Sequence, residues 1–391
     1  MTSVHEIQNN ETIQHVPTTD SDTTLKFAPN NDFHIELRRR VDEFFLRTGR
    51  WQRDCLRMYL KTAIIVTCFA VTYALLVFVV QSMWLAVPLA VFLGGAASGI
   101  GLNIQHDGGH KAYSKHPWIN AMSAMALDVI GGSSYLWRWK HAVFHHTYSN
   151  INGHDTDIDL GVLARQSPHQ KRYAFHRWQH LYIWILYGFM VLRWHFFGDF
   201  RDAITGRISG GPRFPRPKGW DLAIFFAGKV VFFALALVVP MLFHPILAVA
   251  LCYVITASVM GILMSVVFQL AHCVEEADFP QPRETGQIEN AWAIHQVETT
   301  VNFARRNRVA CWLFGGLNFQ VEHHLLPRIC HVNYPAITNL VEQTCREYGV
   351  KYTAHRSICA GLVSHYRWLR RMGKPVSSTN MYRSKRENVP G

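Results

Sequence analysis

The sequence predicts an all-α integral membrane protein: four transmembrane helices in two hairpins, with a helical cytoplasmic cap that holds a di-metal histidine site. Two long apolar blocks, at 62–104 and 222–271, predict the transmembrane helices, because a membrane-crossing helix needs about 20 mostly apolar residues. Only 17% of the 391 residues are charged, compared with about 25% in soluble domains. The metal site is predicted because histidine is the commonest metal ligand and 22 histidines are present, several of them in clusters.

The net charge narrows the classes of partner. It is +12, from 39 basic and 27 acidic residues, and such a charge suits either nucleic acid or the anionic cytoplasmic face of a membrane. The two apolar blocks favour the membrane, so we expect membrane lipid and no nucleic acid as a partner. Eight cysteines without a Cys-x-x-Cys pair indicate a reducing compartment. The composition excludes a disordered chain, a fibre and a disulfide scaffold.

The two ends of the chain are predicted to lie outside the membrane domain, which covers residues 33–371. Residues 1–32 are polar and have no apolar signal-peptide core, which predicts a disordered N-terminal tail. Residues 372–391 are predicted to form a disordered C-terminal tail. Between 33 and 61, arginines alternate with aromatic and aliphatic residues, which predicts an amphipathic helix on the membrane surface.

The four transmembrane helices follow from the lengths of the uncharged runs. Short connections, Gln81-Ser82 and His244-Pro245, separate the members of each pair, so each pair is predicted to be a tight hairpin. Lys229 is the single charge in these helices and lies near one end, where its amine can reach water. Residues 181–192 are apolar but too few to cross, so they are predicted to lie on the surface. We expect the helices at about 62–80, 83–104, 222–243 and 246–271.

The distribution of basic residues predicts the orientation. The two hairpin loops carry no lysine or arginine, whereas the N-terminal segment, residues 105–219 and the region after 272 carry nearly all of them. By the positive-inside rule those three regions are cytoplasmic. The cap therefore consists of residues 105–219 and 272–371, and both termini and the metal site are expected on the cytoplasmic side.

Three histidine clusters lie on that predicted side. Residues three or four apart share one face of a helix, so two imidazoles at such a spacing can reach one ion. An adjacent pair spreads its rings and can serve two neighbouring ions. The first cluster begins within a few residues of a transmembrane helix, which makes an accidental meeting of all three improbable. The clustered histidines are His106, His110, His141, His145, His146, His323 and His324.

The number and type of ligands constrain the metal. Zinc takes four ligands, three of them from the protein in a catalytic site, so seven histidines suit two ions. The sequence has no Glu-x-x-His, which argues against a soluble di-iron carboxylate bundle, and no thiolate spacing for an iron–sulfur cluster. Imidazole-rich sites suit iron, copper or zinc. A membrane setting with an apolar substrate favours oxygen chemistry on iron.

The clusters resemble the three histidine boxes of the membrane fatty acid desaturase family. The third box, Gln320-Val321-Glu322-His323-His324, is similar to the Gln-x-x-His-His box of the front-end type, and the likeness covers roughly residues 35–370. The resemblance implies two iron ions, which zinc can replace in a purified sample, with all seven histidines as ligands. His272 matches a further iron ligand of the animal acyl-CoA branch. Gln320 is implied to be a weak ligand or a hydrogen-bond partner of a ligand.

The resemblance also implies the activity. The expected enzyme is an oxidoreductase that introduces a double bond into a fatty acyl chain, using dioxygen and electrons from a separate donor. That donor is expected to be a ferredoxin or a small cytochrome, because the residues before 35 are too few for a fused haem domain. The acyl chain can be linked to coenzyme A, to a carrier protein or to a lipid. An acetylenase or hydroxylase on the same centre, a zinc-dependent membrane hydrolase and a non-catalytic metal-binding protein are the alternatives.

Several further residues are candidates for supporting roles. Asp155, Asp157 and Asp159 are either loop caps or acceptors that orient the imidazoles, and the pattern leaves both open. His295 and Asn302 precede the third box closely enough to be candidates for the same role. The remaining histidines of the cap are predicted to be surface or hydrogen-bonding residues: His116, His154, His169, His176, His180, His195 and His331.

Overall fold

A computed structural model describes residues 25–29 and 32–375, and this part of the chain is almost entirely helical. Five of its helices are long and apolar enough to cross a membrane. The N-terminal helix α1 (Asp32–Thr48) precedes them, and the helix α4 (Pro117–Val129) lies between the second and the third of them in the chain. The five long helices are α2 (Leu56–Val79), α3 (Met83–Gly109), α7 (Ala174–Thr205), α8 (Trp220–Met241) and α9 (Ile246–His272).

The shorter elements build the cap. Around the second histidine cluster, α5 (Ser134–Trp137), a π-helix (Arg138–His145) and α6 (His146–Tyr148) follow one another. Two short parallel strand pairs join β1 to β2 and β3 to β4, and their strands are Lys26–Ala28, Gln287–Ala291, Asn302–Phe303 and Ala354–His355. The remaining helices are α10 (Trp292–Glu298), α11 (Arg308–Leu313), α12 (Gln320–Leu325), α13 (Tyr334–Glu347) and α14 (Ile358–Met372), with 3₁₀ turns at Ile208–Gly210 and His331–Asn333.

Four of the five long helices coincide with the predicted transmembrane helices. The central one is α9, which packs along α3 on one side and along α7 on another. At Gly94 the α3 backbone comes so close to α9 that an added Cβ would lie 2.6 Å from the carbonyl oxygen of Thr256. Thr256 in turn donates a hydrogen bond to the carbonyl of Ala90, at 3.0 Å. Close packing of α3 on α9 brings the cap-side ends of both helices to one place.

The helix α7 is longer than the sequence predicted. Residues 181–192 were expected to be a short surface segment, but the helix continues over 32 residues. Several of its polar residues are bonded within the protein. His195, for example, is buried, with Nδ1 2.7 Å from the hydroxyl of Tyr253 on α9 and Nε2 3.1 Å from the carbonyl of Ile130. The predicted count of four crossings is therefore not confirmed by helix length and composition.

Lys229 contradicts the prediction that its amine reaches water. The residue is 3% exposed and points into the protein. Its Nζ lies 2.8 Å from Oδ2 of Asp199 on α7 and donates to the carbonyl of Gly131 at 2.6 Å. The sequence could not show this pairing, because Asp199 lies 30 residues away in the helix whose length was underestimated.

We expect Lys229→Met to destabilise the protein by about 3–5 kcal/mol, because it leaves Asp199 buried without its cation. The double variant Lys229→Met with Asp199→Leu removes both charges and should regain most of the loss. Thermal unfolding in one detergent measures both variants against the wild type. Equal unfolding temperatures for the wild type and Lys229→Met would contradict the assignment of this ion pair.

The N-terminal region is more ordered than predicted where the structure describes it. Within the predicted tail, β1 pairs in parallel with β2, so the tail prediction is wrong for residues 25–29. The rest of that tail before residue 32, and residues 376–391, lie outside the described residues. Only part of the helix expected between 33 and 61 is present as α1, which ends at Thr48, and residues 56–61 belong to α2. The apolar face of α1 packs on α13 in the cap. This buried face consists of Phe33, Leu37, Val41 and Phe45.

Candidate metal centre

The structure brings the eight predicted ligands together where the cap meets the ends of α3 and α9. His106 and His110 lie at the end of α3, and His272 is the last residue of α9. All eight side chains are buried. Their ligand atoms form three groups, and within each group the atoms lie within 4.8 Å of one another. The groups are His106, His110, His141 and His323; His145, His272 and His324; and His146, His323 and His324.

These groups describe two adjacent sites with His146 between them. The ring of His146 stacks on His324, with centroids 4.3 Å apart, and lies 4.5 Å from the ring of His110. His146 therefore contacts His110 of the four-residue group and His324, which belongs to both three-residue groups. Two ions bound side by side would use all eight imidazoles.

A π-helix carries the second cluster. Its hydrogen bonds run from residue i to i+5, so residues five apart approach each other along one face. The rings of His141 and His146 lie 4.9 Å apart, and those of His141 and His145 lie 5.0 Å apart. The wider helix explains how three histidines at this spacing all face the centre. The α-helical spacing used for the sequence prediction accounts for only two of them.

The ring nitrogens of the predicted ligands fit a metal. In His145, His323 and His324 the Nε2 atom is buried and has no hydrogen-bond partner among the described residues. Their Nδ1 atoms, by contrast, are all bonded, so the free nitrogen of each ring is a lone pair that can bind a cation. The Nδ1 partners are Asp155 (Oδ2, 3.0 Å), Tyr334 (hydroxyl, 3.3 Å) and Gln296 (Oε1, 2.7 Å), respectively.

The first group also contains the imidazoles of His106, His110 and His141. Nδ1 of His141 lies 3.2 Å from Oδ2 of Asp157, and its Nε2 lies 3.2 Å from Nε2 of His106. The Nε2 atom of His110 has no partner among the described residues. Burial lowers the pKa of His110 well below its usual value, and the neighbouring imidazoles lower it further. These imidazoles are therefore neutral, as metal binding requires.

Gln320 lies against the second group. Its Nε2 is 3.0 Å from Nε2 of His272, and its Oε1 is buried without a partner among the described residues. The other ring nitrogen of His272 lies 3.4 Å from the hydroxyl of Ser149. Gln320 thus contacts the nitrogen of His272 that faces the centre.

A neighbouring cluster of similar composition differs from the histidine groups in its hydrogen bonding. Asp107, Cys330 and His331 also bring ligand atoms within 4.8 Å of one another. Here, however, Nδ1 of His331 lies 2.9 Å from Oδ2 of Asp107, and Nε2 lies 2.8 Å from the amine of Lys61. Both nitrogens are paired, so no lone pair is left for a cation. His331 is therefore a buried hydrogen-bonding residue, one of the two roles predicted for it.

The residues predicted to support the imidazoles do not all contact them. Asp155 and Asp157 accept hydrogen bonds from the imidazoles, whereas Oδ1 of Asp159 accepts from the backbone of Gly161 at 2.7 Å. His295 packs on the ring of Phe27, with centroids 5.2 Å apart. The sequence analysis missed Gln296 and Tyr334, which bond the third-cluster histidines from α10 and α13; nothing in their local sequence distinguishes them.

A third missed residue is Glu322, inside the third box. Its carboxylate is fully buried and accepts hydrogen bonds from Asn302 (2.7 Å), the hydroxyl of Tyr352 (2.8 Å) and the hydroxyl of Thr338 (2.5 Å). These bonds join α12 to β3 and α13. Asn302 therefore contacts the carboxylate and not an imidazole, and the network fixes the helix that carries His323 and His324.

Trp137 closes one side of the histidine cluster. Its ring lies 4.8 Å from that of His141 and 5.2 Å from that of His110. Gly109 makes room for it, since an added Cβ would lie 2.1 Å from the indole. Trp137 and Lys140 also line a cavity of about 50 Å³. The indole therefore contacts both the imidazoles and this cavity.

The fold and site define a class of protein: a helical membrane protein whose buried imidazoles converge on a metal site. Residues 82–356 match the family model for fatty acid desaturases. The chain is similar to the sn-1 linoleoyl-lipid 6-desaturase of Arthrospira platensis, with 38% identity over 360 residues, which cover 90% of this chain and 96% of the relative. The corresponding enzyme of Synechocystis sp. is 37% identical over 90% of this chain and 98% of its own length.

A moss relative extends the comparison. The acyl-lipid (8-3)-desaturase of Physcomitrium patens is 34% identical over 90% of this chain and 74% of its own length. The chain therefore belongs to the fatty acid desaturase family, and the resemblance predicted from the three histidine boxes is confirmed. It is a fatty acyl desaturase, an oxygen-dependent oxidoreductase of the membrane.

Proposed function

We propose that this protein is a di-iron acyl-lipid desaturase that inserts a double bond near the carboxyl end of a chain held on a glycerolipid. The observation that carries the proposal is the convergence of buried, unpaired imidazole nitrogens from three clusters at one place. The names of two similar relatives specify a linoleoyl lipid and the 6-position, which supports a lipid-linked substrate over a coenzyme A or carrier-protein thioester.

We assign the ligands as two sets. His106, His110, His141 and His323 would hold one ion, and His145, His272 and His324 the other, with His146 between them. Iron bound there would supply the oxidising power, drawn from dioxygen, that removes hydrogens from unactivated methylenes. Zinc in the same positions would leave the geometry unchanged and provide no such chemistry.

The protein's own residues orient and seal the centre. Asp155, Asp157, Gln296 and Tyr334 hold the imidazoles by their Nδ1 atoms, which fixes the tautomer that leaves Nε2 free. Trp137 separates the centre from the adjoining cavity and limits the access of water. The acyl chain would be positioned with its reacting methylenes beside the imidazole cluster, because hydrogen removal needs close and fixed geometry.

The predicted orientation, with four crossings and the cap and termini in the cytoplasm, is part of the proposal. A parity argument supports it. The helix α1 precedes α2 and packs on α13, which follows α9, so the chain must cross an even number of times between them. His110 and His323 likewise meet at the ends of different helices. One of the five long helices therefore stays on the cap side, and α7, with the most polar composition, is the one we assign.

Tags at both termini should be protected from protease in sealed vesicles whose cytoplasmic face is inside. Permeabilised vesicles provide the control, in which both tags must be cleaved. Five crossings would put the termini on opposite sides, and cleavage of one tag in sealed vesicles would therefore contradict the four-crossing proposal.

The activity test is expression in cells that contain linoleoyl lipids, followed by mass spectrometry of the lipids. A desaturase produces acyl chains lighter by two mass units, with the new double bond located by fragmentation. A hydroxylase would add one oxygen, and an acetylenase would convert an existing double bond into a triple bond. A hydrolase would release free acids without changing the chain.

Co-expression with a ferredoxin or a small cytochrome, each in turn, identifies the electron donor.

A further inference from the structure

Two cysteines outside the histidine cluster lie in contact. Cys55 is the residue before α2, and Cys330 follows the third histidine box by six residues. Asn333, three residues after Cys330, donates to Sγ of Cys55, so the two cysteines are neighbours although 275 positions separate them in the sequence. Each of the eight cysteines is free, and all lie within the described residues. Contact between two free thiols is a requirement for disulfide formation.

The segments that carry the two thiols are fixed by hydrogen bonds. The backbone N–H of Cys330 donates to the carbonyl of Gln52 at 2.8 Å. The side-chain amide of Asn333 donates to the carbonyl of Trp51 at 3.0 Å and to Sγ of Cys55 at 3.5 Å. The two sulfur atoms are therefore held as neighbours by groups other than themselves.

The two thiols differ in environment in a way that assigns their roles. Cys55 is partly exposed, whereas Cys330 is fully buried. The hydrogen bond from Cys330 lowers the pKa of Cys55, against the opposing effect of burial, and Asn333 adds a second donor. Cys55 also occupies the N-cap of α2, where the helix dipole favours a thiolate. Burial raises the pKa of Cys330 well above its usual value.

We propose that Cys55 and Cys330 form an oxidation site, a thiol pair that hydrogen peroxide converts into a reversible disulfide. The Cys55 thiolate attacks one peroxide oxygen, the O–O bond breaks and hydroxide leaves, which gives a sulfenic acid on Cys55. The sulfur of Cys330 then attacks that of Cys55, the S–O bond breaks, and water leaves with the proton of Cys330. The net reaction turns two thiols and one peroxide into a disulfide and two waters, so sulfur is oxidised by two electrons and peroxide is reduced.

The partner thiol gives this reaction a reversible product. A sulfenic acid without a neighbouring thiol is oxidised further to sulfinic acid, which is not reduced by ordinary thiols. Cys359 is the matched contrast, because it is exposed and its side chain lies on α14, away from the pair. Peroxide should therefore leave Cys359 as a sulfenic or higher acid and Cys55 as a disulfide.

The test treats the purified, metal-loaded full chain with a small excess of hydrogen peroxide, followed by alkylation and tryptic digestion without reductant. The expected product is a cross-link between the peptide of Cys55 and that of Cys330, lighter by two hydrogens than the sum of both and released by dithiothreitol. Cys345 lies on the same tryptic peptide as Cys330, before the next arginine at 346. Cys345→Ser is therefore the matched control, and the cross-link must survive in it.

A second variant separates a reactive pair from two inert neighbours. In Cys330→Ser the sulfenic acid of Cys55 has no thiol to react with, so dimedone present during oxidation should label Cys55. In the wild type the same label should fall at least tenfold. Two results would overturn the proposal. One is that Cys55 is still fully alkylated under conditions in which peroxide has already oxidised Cys359. The other is that dimedone labels Cys55 equally in the wild type and in Cys330→Ser. The readouts use neither desaturation nor the metal, so they are independent of the proposed function.

Discussion

His145→Ala should lose both desaturation and bound metal. His145 offers a free Nε2 to the centre while Asp155 accepts from its Nδ1 at 3.0 Å. Alanine removes the ligand and leaves the buried carboxylate of Asp155 without its imidazole. We expect activity to fall by at least a thousandfold, and the metal content, measured by elemental mass spectrometry on purified protein, to fall below half.

The matched control for this variant is His195→Ala. His195 is also buried, but both of its nitrogens are bonded, to Tyr253 and to the carbonyl of Ile130. Its loss should lower stability and leave the metal content unchanged in the protein that remains folded. If His145→Ala retained full metal and full turnover, our ligand assignment would be wrong. If both variants lost metal equally, the loss would reflect unfolding and not ligation.

The transmembrane helices could be predicted from the sequence because uncharged length is a local property. The predicted helix at 246–271 and the observed α9 (Ile246–His272) differ by one residue. The length of α7 was underestimated because that helix contains polar residues whose partners lie elsewhere in the chain. Lys229 and Asp199 show the same limitation: each is unfavourable in a buried helix alone, and only their pairing makes both acceptable.

The histidine cluster could be predicted for a different reason. Seven of its eight histidines occur in close groups, so spacing indicates which rings share a face; His272 stands alone and was expected only from the family resemblance. Their supporting residues come one at a time from separate elements, as Gln296 and Tyr334 do, and no pattern in the sequence marks them. The π-helix that carries His141 and His145 and ends just before His146 was also not predicted, because its residues suit an α-helix equally well.

Gln320→Ala should weaken metal binding by roughly ten- to a hundredfold, the usual effect of removing a group that supports a ligand. The reason is its contact with His272, whose centre-facing nitrogen lies 3.0 Å from the Gln320 amide. Gln320 is fully buried at the start of α12 and bonds no other described side chain through its oxygen. The measurement is metal retained by purified protein during titration with a chelator. Gln343→Ala, a glutamine on the surface of α13, is the control and should retain metal as the wild type does.

Comparison with two further variants decides what Gln320 does. An amide oxygen is a poorer ligand for iron than an imidazole, so His323→Ala should lose far more metal than Gln320→Ala if Gln320 only supports His272. Equal losses would instead make Gln320 a true ligand, bound through its oxygen. Gln320→His should keep the metal, because an imidazole can occupy the same space, and turnover should fall if the added ring takes the position where dioxygen binds. An unchanged chelator titration for Gln320→Ala would reduce Gln320 to a packing residue, and the contact with His272 would then have no part in holding the metal.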